Sequence, residues 1–369
     1  MSGSGRLLYF WPVMKVAAGK ATITVVVVLA LLAATRFLAR RPYHNWDMFP
    51  YMALAMQRPD VAFESTHRQV YAQAQANMPV ADFEAISARQ PDLKQSASEF
   101  ELILPYYKVK PGYNFLVLAF FKMGLHPLTA TWLPSILSYF AIGLMLFFWC
   151  LQQGRPLPAA LFTVVIMFSP VMANLARYSS PDMLCTAFSL AGLILMLGTR
   201  QSFGLLLLTI AVTIRPDAAI LTIPIVIVMW VSGKISFIYG FTWFCIQLVI
   251  VCILLSKPGL GAAYIVLTQD ISSWAGLFLK ALGTLLNTLT IPMAGIAALL
   301  IFLRRRQRHP DLLSLLLWAA ILSLGARFIL HPYMEDRFNL PAYLVILVVA
   351  WMDLSARLFP GRAVARAQV

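Results

Sequence analysis

The sequence predicts an all-α polytopic membrane protein, with about ten transmembrane helices and a long first extracytoplasmic loop that carries interfacial helices. Three observations lead there. Of 369 residues, 60% are hydrophobic and 12% charged, with a mean hydropathy of +0.77, whereas soluble domains run near half apolar and a quarter charged. Apolar runs of about 20 residues, the length that crosses a bilayer, recur between residues 21 and 356. In hydrocarbon the backbone must satisfy its own hydrogen bonds, which long runs of this kind do only as helices.

The first run, 21–39, follows Lys15 and Lys20. It is longer than a signal-peptide core and is followed by arginines rather than a cleavage site, so it reads as an uncleaved anchor. Residues 40–112 form the longest polar segment, and 80–101 read as a polar helix within it. The stretch YNFLVLAFFKMG that follows is too short to span and fits an interfacial helix with Lys122 snorkelling. Further spans are expected at 129–151, 158–173, 183–199, 202–214, 218–233, 235–256, 281–303, 312–330 and 340–356. The chain thus reads as one integral membrane domain over 1–369, with its first outer loop at 40–128 and a short tail at 357–369.

Charge sets the expected orientation. Arg6, Lys15, Lys20, Arg155, Arg200, Lys234, Arg304, Arg305, Arg306, Arg308, Arg357, Arg362 and Arg366 fall on one side, where the only acids are Asp311 and Asp353. The positive-inside rule makes that side, with both termini, cytoplasmic. This distribution accounts for the net charge of +14 without a nucleic-acid partner. Cys150, Cys185, Cys245 and Cys252 lie in apolar runs without metal-ligand spacing and read as core residues.

Ionisable groups at membrane edges cost energy unless they pair or face water, so they mark candidate sites. On the outer side they are Asp47 in NWDMFPYMALAM, Lys108 and Lys110 in YYKVKPGYN, Arg177 and Asp182 in ARYSSPDML, Arg215 and Asp217 in TIRPDAA, and His331, Glu335, Asp336 and Arg337 in HPYMEDRFNLP. Cations suit a phosphate, and arginine grips one bidentately. A carboxylate beside them suits proton abstraction from a hydroxyl. Plainer readings stand beside these. Asp47 also fits a helix N-cap before Phe49-Pro50, and Arg215-Pro216-Asp217 fits a turn with a local ion pair. Asp336-Arg337 fits a surface pair.

These segments, in this order, resemble the polyprenyl-phosphate-sugar-dependent glycosyltransferases of the GT-C fold, nearest to the lipid A aminoarabinose transferases and protein O-mannosyltransferases. NWDMFPYMALAM looks like the family's acid after span one, followed by a Tyr and small residues. Lys110-Pro111-Gly112-Tyr113 resembles its Lys-Pro-Pro element, and GLHPLTATWL its linker. SPVMANLARYSSPDMLCTAFSLAGL, GLLLLTIAVTIRPDAAILTIPIVIV and DRFNLPAYLVILVVAW resemble its later segments. The likeness runs from about residue 41 to 356. Two departures stand out. Met48 occupies the place where many relatives carry a second acid, and Gly112 replaces the second proline.

The resemblance implies transfer of a sugar from a polyprenyl-phosphate donor to a lipid, glycan or protein acceptor at the membrane surface. It implies Asp47 as catalytic carboxylate with Asp182 assisting, and Lys110, Arg177, Arg215 and Arg337 on the donor phosphate. Tyr51, His331 and Tyr333 would be accessory. It names no cofactor and leaves room for a divalent metal. The four cations sit in different outer segments, and the sequence suggests no surplus of acids to pair with them. Rival classes are a transporter or flippase of lipid-linked sugars, and an O-antigen polymerase or ligase. A transporter commonly carries internal repeats, which this chain lacks, and a polymerase or ligase would have its main functional loop late in the chain.

Overall fold

The structure is a computed structural model that describes residues 4–261, 263, 274–285, 287–304, 311–330 and 335–359. Its named elements are all helical: α1 (Ser4–Ala39), α2 (Met48–Met56), α3 (Phe63–Asn77), α4 (Val80–Ser87), α5 (Pro91–Gln95), α6 (Ala97–Lys108), α7 (Pro111–Lys122), α8 (Pro127–Gln153), α9 (Pro156–Met167), α10 (Pro170–Ala176), α11 (Asp182–Leu197), α12 (Gln201–Ile214), α13 (Ala219–Val231), α14 (Phe237–Leu255), α15 (Trp274–Leu285), α16 (Thr290–Arg304), α17 (Leu312–Leu330) and α18 (Asp336–Leu358). A 3-10 turn, Pro216–Ala218, joins α12 to α13.

Five helical segments are long and apolar enough to cross a membrane: Gly19–Ala39, Pro127–Gln153, Phe237–Leu255, Leu312–Leu330 and Asp336–Leu358. The chain is therefore a helical membrane protein, but the other expected spans are shorter or broken. The run 158–173 bends by 63° between α9 and α10. Pro170 has no N–H to continue the ladder and pushes Ser169 out of the helical region, where its hydroxyl accepts from Met172 N at 3.4 Å. The run 281–303 divides between α15 and α16, near Thr288, whose hydroxyl donates to the Leu285 carbonyl and accepts from Thr290 N and so competes with the backbone ladder. α11 and α12 have 16 and 14 residues, about 24 and 21 Å of helix against a hydrocarbon core near 30 Å.

α11 and α12 lie unusually close. A Cβ on Gly192 would stand 2.9 Å from the Gly204 carbonyl oxygen, and one on Gly204 2.8 Å from that of Gly192. Small residues permit this approach between membrane helices. It brings the start of α11, at Asp182, alongside the end of α12, at Arg215. The polar trio Thr209, Thr222 and Gln247 then ties α12, α13 and α14 together, with hydrogen bonds of 2.9 and 3.3 Å through the Gln247 amide.

The segment between α1 and α8 is a folded helical cap. The polar helix expected over 80–101 is instead three pieces, α4, α5 and the start of α6. Pro91 and Ser96 interrupt it, and the Ser96 hydroxyl caps α6 by accepting from Glu99 N at 3.2 Å. The cap has its own core, built on Met48, Phe49, Tyr51, Met52, Phe100, Ile103, Leu104 and Tyr113, which meets the bundle at Leu184, Ala211 and Ile214. α7 buries Tyr113 and Val117 while Phe115 and Leu118 stay exposed.

Candidate functional site

The charged segments around Asp47, Lys110, Asp182, Arg215 and Arg337 converge at one end of the bundle. Residue 47 occupies the N-cap position of α2, but its side chain makes no capping hydrogen bond. Its carboxylate is held from other elements instead. Tyr107 Oη donates to Oδ1 at 2.9 Å, while Asn45 Nδ2 and Arg337 Nη1 each donate to Oδ2 at 3.2 Å. The capping reading of Asp47 therefore gives way to a carboxylate gathered by three side chains.

Asn45 also fixes the neighbouring loop, because its Oδ1 accepts from Ser179 N at 3.1 Å. Tyr43 N donates to the Arg177 carbonyl at 3.0 Å, and the Tyr43 and Tyr178 rings lie 4.6 Å apart. Segment 43–47 is thus zipped to 177–179, just before Asp182. Arg177 belongs to this zip, donating its Nε to the Arg41 carbonyl. No described contact brings its guanidinium to the other cations.

Lys110 stands at the start of α7 in an aromatic box. Its ammonium donates to Tyr51 Oη at 3.2 Å and lies 4.5 Å and 4.8 Å from the Tyr106 and Tyr107 ring centres. Among the described residues no carboxylate lies within ion-pair distance of it. Burial pushes its pKa down to about 8. Burial, with the Asp47 charge second, pushes the Tyr51 and Tyr107 hydroxyls well above their usual value, so Tyr107 stays a donor to Asp47. Gly112 stands where a larger residue would not fit. A Cβ there would stand 2.8 Å from Thr213 Oγ1 and 2.9 Å from Ile214 Cγ1. A second proline would strike the end of α12, and its absence lets Lys110 approach Arg215. Met48 is fully buried in the cap core, where a second acid would lack solvent.

The remaining groups form an ion network. Arg215 forks onto Asp217, Nε to Oδ1 at 2.9 Å and Nη2 to Oδ2 at 2.6 Å, and its Nη1 pairs with Asp182. Arg327, from α17, pairs with the Asp217 carboxylate and donates to its backbone carbonyl at 3.0 Å. Arg337 pairs with Glu335 at 2.5 Å as well as with Asp47. The Phe338 ring lies under both Arg215 and Arg337, at 4.8 and 4.7 Å, and so links the two halves of the network. The expectation of cations without acid partners is overturned for Arg215 and Arg337. Asp336 is not Arg337's partner but accepts from Leu289 N at 2.8 Å and Tyr343 Oη at 3.0 Å, tying α18 to the start of α16.

The structure therefore brings together Asp47, Tyr51, Lys110, Asp182, Arg215 and Arg337, and His331 and Tyr333 lie outside the described residues. Sequence reasoning missed Arg327, Phe338, Asn45 and Tyr107. Arg327 had a readable signal, an arginine inside an apolar span, which is costly unless it is used. Among the described residues no group of three or more His, Cys, Asp and Glu stands placed to hold a metal ion.

Fold and site together define a helical membrane protein with a charge-rich pocket at one end of its bundle, under a helical cap. Comparison with family models, with curated proteins and with solved structures returns no match for this chain.

Proposed function

We propose that this chain is a GT-C-type membrane glycosyltransferase, moving a sugar from a polyprenyl-phosphate donor to a lipid, glycan or protein acceptor. The observation that supports this best is the Asp47 carboxylate. It is oriented by Tyr107, Asn45 and Arg337, with the buried ammonium of Lys110 beside it and membrane-facing helices around it. In this reading the acceptor hydroxyl attacks the anomeric carbon as its proton passes to Asp47. The bond from that carbon to the phosphate oxygen breaks, and the electron pair leaves with the phosphate. Lys110, Arg215 and Arg337 stabilise the leaving charge, and Asp182 holds Arg215 in place. A phosphate leaves readily as an anion, so no second carboxylate is needed as acid, unlike in glycoside hydrolysis.

The pocket would face the extracytoplasmic side of a bacterial inner membrane, with both termini in the cytoplasm, because the basic residues gather at the other end. There Arg304 pairs with Asp311 and Asp353. The test is chemical. Lipid retained by the purified protein in nanodiscs, identified by mass, should be a polyprenyl phosphate carrying a sugar, and that lipid should support transfer. A retained phospholipid alone, with no transfer from any polyprenyl-phosphate sugar, would remove this reading in favour of a transporter.

A further inference from the structure

Arg215, Arg327 and Arg337 line one cavity with Asp182, Asp217, Ser189, Ser323, Phe338 and Asn339. Among the described residues four carboxylates (Asp47, Asp182, Asp217 and Glu335) pair with Arg215, Arg327 and Arg337. Guanidinium groups already held by carboxylates give an arriving anion little net attraction, so binding a phosphate there requires that a carboxylate yield its place.

Of the two acids lining the cavity, Asp217 is the more accessible. The Asp182 side chain is 2% exposed and that of Asp217 21%. Asp182 begins a 16-residue helix, and Asp217 sits in a three-residue 3-10 turn that runs into α13. Asp217 also presents its oxygens to two guanidinium groups at once, the forked contact a phosphate makes with arginines.

We infer that Asp217 is an internal stand-in for the ligand. It occupies an anion pocket formed by Arg215 and Arg327, and an incoming phosphate group displaces it. This rests on the glycosyltransferase reading for the identity of the ligand, a lipid phosphate, but not for the exchange itself. No covalent step is involved, since the two arginines change partner from carboxylate to phosphate.

An ion pair that merely holds helices together predicts similar losses when either partner is removed, whereas a displaceable stand-in predicts opposite effects. The measurement is affinity for a short-chain isoprenoid monophosphate, and separately for inorganic phosphate, with the full chain in nanodiscs as wild type, Asp217→Asn, Arg327→Gln and Glu335→Gln. Asp217→Asn should bind about ten-fold more tightly and Arg327→Gln about ten-fold more weakly, the size of one charge-assisted contact. A gain with both probes identifies the phosphate group as what is recognised; a gain with the lipid alone identifies the lipid headgroup. Losses of similar size in Asp217→Asn and Arg327→Gln, no change in either, or a gain confined to Glu335→Gln would each overturn the inference.

Removing one partner of a buried pair can also unfold a protein, so a second reading uses the unaltered chain. Hydrogen exchange at 215–219 should speed up when the monophosphate binds, as the turn loses its two arginine ties. Slowed or unchanged exchange would count against displacement. Because neither measurement uses transfer, a protein that exchanges partners this way but moves no sugar refutes only the function. One that transfers sugar without the Asp217→Asn gain refutes only the inference.

Discussion

Arg337 and Asp47 lie 290 residues apart in the chain, yet the guanidinium of one donates to the carboxylate of the other at 3.2 Å. This contact joins the first outer segment to the last, and with Tyr107 and Asn45 it replaces the backbone capping that the sequence allowed for Asp47. Asp47→Asn should therefore leave the fold and donor binding intact while transfer falls by about 10²–10⁴-fold, the usual contribution of a general base. Single-turnover transfer and lipid affinity on the same preparation check this. Near-normal turnover in the variant would return Asp47 to a structural role.

Tyr107→Phe removes one donor from the Asp47 carboxylate and keeps the ring that packs beside Tyr51 at 5.1 Å. The expected outcome is a loss in kcat of about ten-fold, from one charge-assisted hydrogen bond, with the acceptor KM and thermal stability little changed. A KM effect without a kcat effect would place Tyr107 at acceptor binding.

Lys110 gives a pH signature. Its pKa is pushed down to about 8 by burial, with Asp47, Arg215, Asp217 and Arg337 as its charged neighbours. The cation is present below that pH and lost above it. Donor-phosphate affinity should hold below pH 8 and fall above it, by up to about ten-fold per unit. The same shift works in the opposite sense on stability. The unfolded chain keeps its proton to a higher pH, so folding gains stability as pH rises from about 8 toward the ordinary lysine value. Lys110→Arg should abolish the alkaline fall in affinity. A fall that persists in this variant would assign the titration elsewhere.

Arg177→Lys should leave donor affinity unchanged, because Arg177 belongs to the zip between 43–47 and 177–179, with its Nε donating to the Arg41 carbonyl. Arg215→Lys should weaken it by about ten-fold, since lysine cannot reproduce the fork. Equal losses in both variants would restore Arg177 to the phosphate site.

Orientation is checked by single cysteines in a cysteine-free background. Gln75 and Gln152 are both exposed, the first on the cap and the second at the far end of α8. Gln75→Cys should react with an impermeant thiol reagent in intact cells and Gln152→Cys should not. The reverse pattern would move the pocket to the cytoplasm.

Much of this was legible in the sequence. Charge is scarce in this chain, so Asp47, Lys110, Arg177, Asp182, Arg215 and Arg337 stand out from the sequence alone. What one dimension hides is pairing. Arg177 and Arg215 look alike as outer arginines, and only the close approach of Gly192 to Gly204 sets Arg215 against Asp182. Helix breaks were missed because hydropathy windows average across a Ser-Pro step. Arg327 was absorbed into an apolar span, although its partner Asp217 lies 110 residues away in a turn that had been noticed.

The zip between 43–47 and 177–179 has a mechanical consequence. Through Asn45 and the Tyr43–Arg177 backbone bond, the segment bearing Asp47 and the loop leading to Asp182 are one stiff body. Arg337 reaches this body from α18, which packs against α11 in the shared core. The Asp47 and Asp182 side of the pocket is therefore braced from two directions, and the spacing of the two carboxylates is set by the fold and not by what the pocket holds.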